Sequence, residues 1–327
     1  MRPPVLNRTG IYPSLAATFA AGGSAGRPAV IFQRHFSPSI GARPMADDLT
    51  FDEATLLIHL GATRTGSKWI SNYFTEHTEI LMSPIRVLNY FTRGQHFHQY
   101  FETALLKEEA EFAKKGADAT PPASLIQLRD RVRMNHDPAA FLDYYRSRWS
   151  GEKVFADVTP SYYVEDRDMF ARMRDAHSRV RFLLVMRNPI DRLWSGMRLA
   201  RMGDAKYDPP ARLDQLLAAS VPPWRRNYVT TLTDLDAVIP GAHLKVCFFE
   251  EMFDMAVIGD LCAFLGVQTQ SADVASAMNQ SEGVGLDAER RGRLYAKLEP
   301  VYRFVHDRYQ GRLPASWLHD MDRFGTG

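Results

Sequence analysis

Residues 55–74 read TLLIHLGATRTGSKWISNYF, and the fold follows from this stretch. Leu56, Leu57, Ile58, His59 and Leu60 make a largely apolar run of the length that fills a buried strand. A turn bounded by Gly61 and Gly66 comes next. From Ser67 onward, Trp69, Ile70, Tyr73 and Phe74 recur at helical spacing. Strand, glycine turn and helix start together make an anion-binding loop. The first N–H groups of a helix have no partner within it, and the helix dipole favours negative charge at that end. Ser67 is expected as the N-cap, and Gly66 lets the backbone approach a phosphate oxygen.

The loop departs from the nucleotide-kinase pattern Gly-x4-Gly-Lys-Ser/Thr, because here Ser67 precedes Lys68. In that pattern the lysine takes the phosphates and the following hydroxyl takes Mg²⁺. The reversed order moves the cation along the helix and displaces the metal ligand. A second strand-like run, Val180–Met186, ends in Arg187, where the kinase pattern would carry a metal-holding Asp. No bound metal is therefore expected, and a metal-dependent kinase or NTPase is the lesser alternative. Asn188-Pro189 follows Arg187, and Pro suits the first turn of a helix, which puts Ser195 about two turns along it. Arg187 as a planar charged fork and Ser195 as a hydroxyl donor can clamp a second phosphate.

Arg64-Thr65-Gly66-Ser67-Lys68-Trp69 resembles the 5′-phosphosulfate loop of sulfotransferases, commonly Lys-x-Gly-Thr-Thr followed by Trp or a similar residue. Arg187 followed eight positions later by Ser195 resembles that family's 3′-phosphate motif. The resemblance implies a P-loop-like α/β fold of three layers, with a central parallel sheet of about five strands flanked by helices. It implies 3′-phosphoadenosine 5′-phosphosulfate (PAPS) as the sulfuryl donor and a hydroxyl or amine of a carbohydrate, lipid or small metabolite as acceptor. Arg64, Thr65, Gly66, Ser67, Lys68, Trp69, Arg187 and Ser195 would bind the nucleotide, with Arg64 and Lys68 neutralising charge on the leaving phosphate. Trp69 either stacks on adenine or packs as a core helix residue. Arg64 and Lys68 each depart from the usual residue at their positions. A binder of phosphoadenosine without catalysis is the other alternative.

One departure bears on catalysis. In family members related to glycan-modifying enzymes, a segment like Ser83-Pro84-Ile85-Arg86-Val87 carries a Glu that serves as general base; here Arg86 matches the neighbouring Lys and Val87 stands at the Glu position. Another group must take the acceptor's proton. Asp157 lies at the end of the strand-like run 153–158, and ligand sites of open α/β sheets lie at strand carboxyl ends. Capping of the following turn is the alternative for it. His98, with His96 beside it, has the side chain nearest the required pKa. Asp157 and His98 are the candidates carried forward.

The remaining sequence frames the same picture. The 327 residues suffice for one large domain, expected over 51–327. Residues 1–46 hold five Arg and no acid, leaving 35 basic against 38 acidic residues in the rest. No broad polyanion surface, and so no nucleic acid partner, is indicated. Residues 1–50 are expected to be a disordered extension preceding or including a true start at Met45, with an organelle transit peptide as the weaker reading. Two cysteines, Cys247 and Cys262, exclude a disulfide framework. No apolar run reaches membrane-spanning length, so a cytoplasmic location is expected. The charged segment 96–150, broken at Pro121-Pro122, is read as a helical insertion that shapes an acceptor pocket. Tyr90 and Phe91 are read as core. Asp287–Tyr309 is read as a long helix whose Arg290, Arg291 and Arg293 either meet a phosphate or line a solvated face.

Overall fold

The structure is a computed structural model that describes residues 49–325, except 94, 117, 136, 219–226 and 275–284. The expected disordered extension therefore lies almost wholly outside the described residues. Five strands run in chain order: β1 Thr55–Gly61, β2 Ile80–Met82, β3 Val154–Val158, β4 Val180–Met186 and β5 Leu244–Phe248. The helices are α1 Ser67–Glu76, α2 Gln95–Ala113, α3 Ala123–Met134, α4 Pro138–Arg146, α5 Arg167–Arg174, α6 Pro189–Gly203, α7 Pro209–Ala218, α8 Tyr228–Val238, α9 Met255–Leu265, α10 Ala288–Arg308 and α11 Ala315–Phe324. The described residues fall into two compact units: one holds those within 49–187 and 231–274, the other those within 188–230 and 285–325.

The first unit holds the sheet, which is parallel throughout in the order β2-β3-β1-β4-β5. β1 is buried along almost its whole length, which explains its nearly continuous apolar run. One face of the sheet, including Leu57, Ala156, Val158, Leu183 and Val185, packs with Ile70, Tyr73 and Phe74 of α1 and Ile258, Leu261 and Leu265 of α9. On the other face, Phe155 stacks on Phe51 at 4.8 Å and meets Tyr145 of α4 at 5.1 Å. Tyr90 and Phe91 are core residues as expected, with Tyr90 stacked on Phe141 of α4 at 4.5 Å. The insertion forms α2, α3 and α4, and α3 starts after Pro122, at the anticipated break.

In the second unit, α10 packs against α6, α7 and α11. Asn188 caps α6 by accepting hydrogen bonds from the N–H groups of Ile190 and Asp191, with Pro189 at the first helical position. Two of the three arginines read at the start of α10 make close ion pairs. Arg290 pairs with Asp214 and Asp287, both at 2.7 Å, and Arg291 with Asp191 at 2.7 Å and Asp320 at 2.6 Å. Asp320 has no exposed surface, and a buried carboxylate without a partner would be strongly destabilising. Arg290 and Arg291 are thus counter-ions of acids far away in sequence, Asp214, Asp191 and Asp320, with the neighbouring Asp287 besides. Among the described residues, no helix is long and apolar enough to cross a membrane.

Candidate functional site

The glycine turn sits at the carboxyl end of β1, the central strand, where ligands of open α/β sheets bind. The pairing of β1 with β4 shifts register between His59 and Gly61, so the chain leaves the sheet at a bulge. Gly61 has φ +106°, and a Cβ there would lie 2.2 Å from the carbonyl oxygen of Pro160. Ala62 N–H donates to Val185 O at 2.9 Å, and the Thr65 hydroxyl donates to Ala62 O at 2.6 Å. Thr65 is fully buried, so its hydroxyl shapes the loop from inside.

Gly66, not Ser67, is the N-cap of α1. It takes the left-handed conformation at φ +77°, and no side chain caps the helix. Ser67 is consequently the first helical residue. The first helical hydrogen bond runs from Ile70 N–H to Gly66 O at 3.1 Å. The N–H groups of Ser67, Lys68 and Trp69 precede that bond, as an anion site at a helix start requires. Arg64 is also left-handed, at φ +68°, a conformation uncommon outside glycine. Arg64 and Lys68 both expose their side chains.

Arg187, at the end of β4, closes one side of the loop. Its Nη1 donates to Arg64 O at 3.0 Å, and its Cζ lies 4.3 Å from the ring centre of Phe249. That ring also lies beneath Gly66, where an added Cβ would stand 3.3 Å from it. Phe249 meets Phe253 edge-on at 5.4 Å, and Phe253 meets Trp69 at 5.3 Å. Trp69 stacks on Tyr73 at 5.8 Å and donates its indole N–H to Asp273 O at 2.8 Å. Of the two alternatives open for Trp69, this packing supports the core one. Sequence reasoning passed over Phe249 and Phe253. The available signal was position: they directly follow β5, the neighbour of β4, at the same carboxyl edge.

Asp157 of β3 is in register with Ile58 of β1, three residues below the glycine turn. It is fully buried. The Thr159 hydroxyl donates to its Oδ1 at 2.7 Å and the Tyr162 hydroxyl to its Oδ2 at 2.8 Å. Burial raises its pKa from 3.8 to about 6, against the lowering influence of those two bonds and of Arg131. This geometry supports the turn-capping alternative. Arg131 of α3, passed over in the sequence as one of several charges on a polar helix, is 1% exposed and donates to Leu88 O at 2.6 Å and Asn89 O at 3.1 Å.

His98 lies in the first turn of α2, with Nε2 3.1 Å from Glu102 Oε1 and a side chain 19% exposed. The side chain of His96 lies outside the described residues. Ser195 belongs to the second unit, on α6, and is 2% exposed. His59 is also passed over in the sequence. It is fully buried between Val158 and Leu183 of the flanking strands, and neither ring nitrogen has a hydrogen-bond partner among the described residues. Burial pushes its pKa from 6.5 down to about 3.

A model of the sulfotransferase family matches residues 57–271. No curated protein matches the chain. Among solved structures, a sulfotransferase from Alicyclobacillus acidocaldarius is similar at 20% identity and TM-score 0.55, over 80% of this chain and 97% of that one. A sulfotransferase from Mycobacterium avium is similar at 14% identity and TM-score 0.42, over 80% of this chain and 78% of that one. The first of these likenesses agrees with the P-loop-like α/β architecture built above.

Proposed function

Because the chain belongs to the sulfotransferase family, we propose that it moves the sulfuryl group of PAPS to a hydroxyl or amine of a carbohydrate, lipid or small metabolite. The observation that carries this reading is the loop between β1 and α1: an uncapped helix start after a left-handed Gly66, with Arg187 bonded to the loop carbonyl of Arg64. The N–H groups of residues 65–68 hold the 5′-phosphate, and Arg64 and Lys68 offset the charge that builds on it. Arg187 and Ser195 read the 3′-phosphate.

In the reaction, an acceptor oxygen or nitrogen attacks sulfur as the bond from sulfur to the 5′-phosphate oxygen breaks. Adenosine 3′,5′-bisphosphate (PAP) leaves, and the acceptor's proton passes to a base. Catalysis rests on positioning and on electrostatic stabilisation of the equatorial oxygens. The proposed base is His98, whose side chain keeps some exposed surface, with Nε2 3.1 Å from Glu102 Oε1 and Nδ1 buried. Asp157 has no surface for an acceptor to touch. The contribution of a base is typically about 10²–10⁴-fold.

The test is nucleotide choice followed by turnover. PAP should bind well and AMP far more weakly, since each charge-assisted hydrogen bond to the 3′-phosphate is worth about 1.5–3 kcal/mol. Equal affinities in calorimetry would remove Arg187 and Ser195 from the site. Labelled PAPS incubated with the protein and a cell extract should then yield a labelled acceptor. Tight PAP binding with no transfer would favour the non-catalytic alternative.

A further inference from the structure

The loop after β2, residues 83–92, is held at several points by buried hydrogen bonds. The Ser83 hydroxyl donates to Ile85 O at 2.7 Å and lies 2.8 Å from the Tyr144 hydroxyl. Arg131 holds the carbonyls of Leu88 and Asn89. Thr159 Oγ1 accepts from Asn89 N–H at 3.3 Å, and Tyr162 Oη accepts from Phe91 N–H at 3.1 Å. Both of those hydroxyls are themselves fixed by donation to Asp157. Ile85 and Leu88 on either side are buried, so the frame presents just Arg86 and Val87, both half-buried, between them.

Arg86 makes no hydrogen bond or ion pair with any described residue, and burial alone holds its pKa below the ordinary arginine value. The other well-covered arginines of this part of the fold are matched. Arg131 has its two carbonyls, and Arg148 has Asp130 and Tyr144 O. Taking a guanidinium partly out of water without a counter-ion is unfavourable, and a rigid loop is a costly place to leave one unless a ligand supplies the anion. β2 is the edge strand, separated from β1 by β3. At about 4.8 Å per strand, the loop after β2 starts about 10 Å from the phosphate loop. A distance of about 10 Å is within reach of an acceptor bound beside the phosphate loop.

We propose that Arg86 is the anion-recognition group of the acceptor subsite, so that the molecule receiving the sulfuryl group carries an oxyanion, a carboxylate or a phosphate or sulfate ester, near its attacking hydroxyl or amine. The inference rests on the sulfuryl-transfer reading for what the subsite is for. Asp157 enters as a positioning residue: through Thr159 and Tyr162 it fixes the loop that aims the guanidinium.

The experiment uses the full chain and the variants Arg86→Gln and Arg86→Lys. PAP and PAPS affinities are measured by calorimetry. Benzoate and inorganic phosphate are then titrated by NMR into PAP-saturated protein at constant ionic strength. PAP and PAPS should bind all three proteins equally. The dissociation constants of the probes should rise about tenfold or more in Arg86→Gln, and less in Arg86→Lys, which keeps the charge but loses the fork. A stronger effect with benzoate points to a carboxylate on the acceptor, and with phosphate to an ester. A loss of PAPS affinity with PAP affinity intact would overturn the proposal by assigning Arg86 to the donor's sulfuryl group. Probe binding that is absent, or equal in the Gln variant and the native protein, would overturn it as well. If PAP does not bind, the sulfuryl-transfer reading falls, and the same probe comparison without nucleotide still decides the role of Arg86 in binding anions.

Discussion

Replacing His59 by Leu should change how stability responds to acid. His59 is fully buried with a pKa near 3, against 6.5 when unfolded. Between those values the unfolded chain binds a proton that the folded chain refuses, so stability falls as pH falls from about 6.5 toward 3. Going from about pH 7.5 to about pH 5, the unfolded histidine becomes almost fully charged, which costs the fold about 2 kcal/mol at 1.36 kcal/mol per pKa unit. Asp157 works in the opposite direction. Its folded pKa, about 6, lies above the unfolded 3.8, so the folded chain takes up the proton first and gains stability as pH falls through 6. Over the same interval that gain is about 1.4 kcal/mol, and the two groups together leave a net loss of only about 0.6 kcal/mol. The variants separate them. Relative to the native protein, His59→Leu should gain about 2 kcal/mol between about pH 7.5 and pH 5, and Asp157→Asn should lose about 1.4 kcal/mol. His59→Leu should also be more stable at about pH 7.5, by roughly 1–3 kcal/mol, because two buried ring nitrogens without partners are removed. Urea denaturation at the two pH values measures all of this, provided the slopes agree among proteins. If native protein and His59→Leu shift in parallel, within about 0.5 kcal/mol, the burial argument for His59 fails.

Three further expectations follow from the site. Gly61→Ala should cost at least about 3 kcal/mol in thermal or chemical unfolding, because the new Cβ would meet Pro160 O at 2.2 Å in a left-handed backbone; a native-like melting temperature would contradict the loop geometry. His98→Gln should lower kcat by about 10²-fold or more with PAP affinity nearly intact, and full turnover in that variant would show that His98 is not the base. Transfer should survive EDTA, since Lys68 rather than a hydroxyl follows Ser67; an absolute requirement for Mg²⁺ would restore the kinase alternative.

The phosphate loop and the strands beside it were legible in the sequence because the forces that form them are local. A largely apolar run of five residues before a glycine makes a buried strand, and a period near 3.6 after it makes a helix. Arg187 at the end of β4 and Pro189 at the start of α6 were likewise set by neighbours along the chain. What an individual charge does was settled by residues far away in sequence. Arg131 reads as one charge on a polar helix, yet it reaches carbonyls 43 and 42 positions earlier. Arg291 reads as a phosphate ligand or a solvated side chain, yet it matches an acid 29 positions on. Phe249 under Gly66 and the unpartnered nitrogens of His59 depend on the same long-range packing. Local pattern is carried by backbone geometry and the spacing of apolar side chains. Desolvation and the pairing of polar groups depend on which distant surfaces meet, and only the tertiary structure determines that.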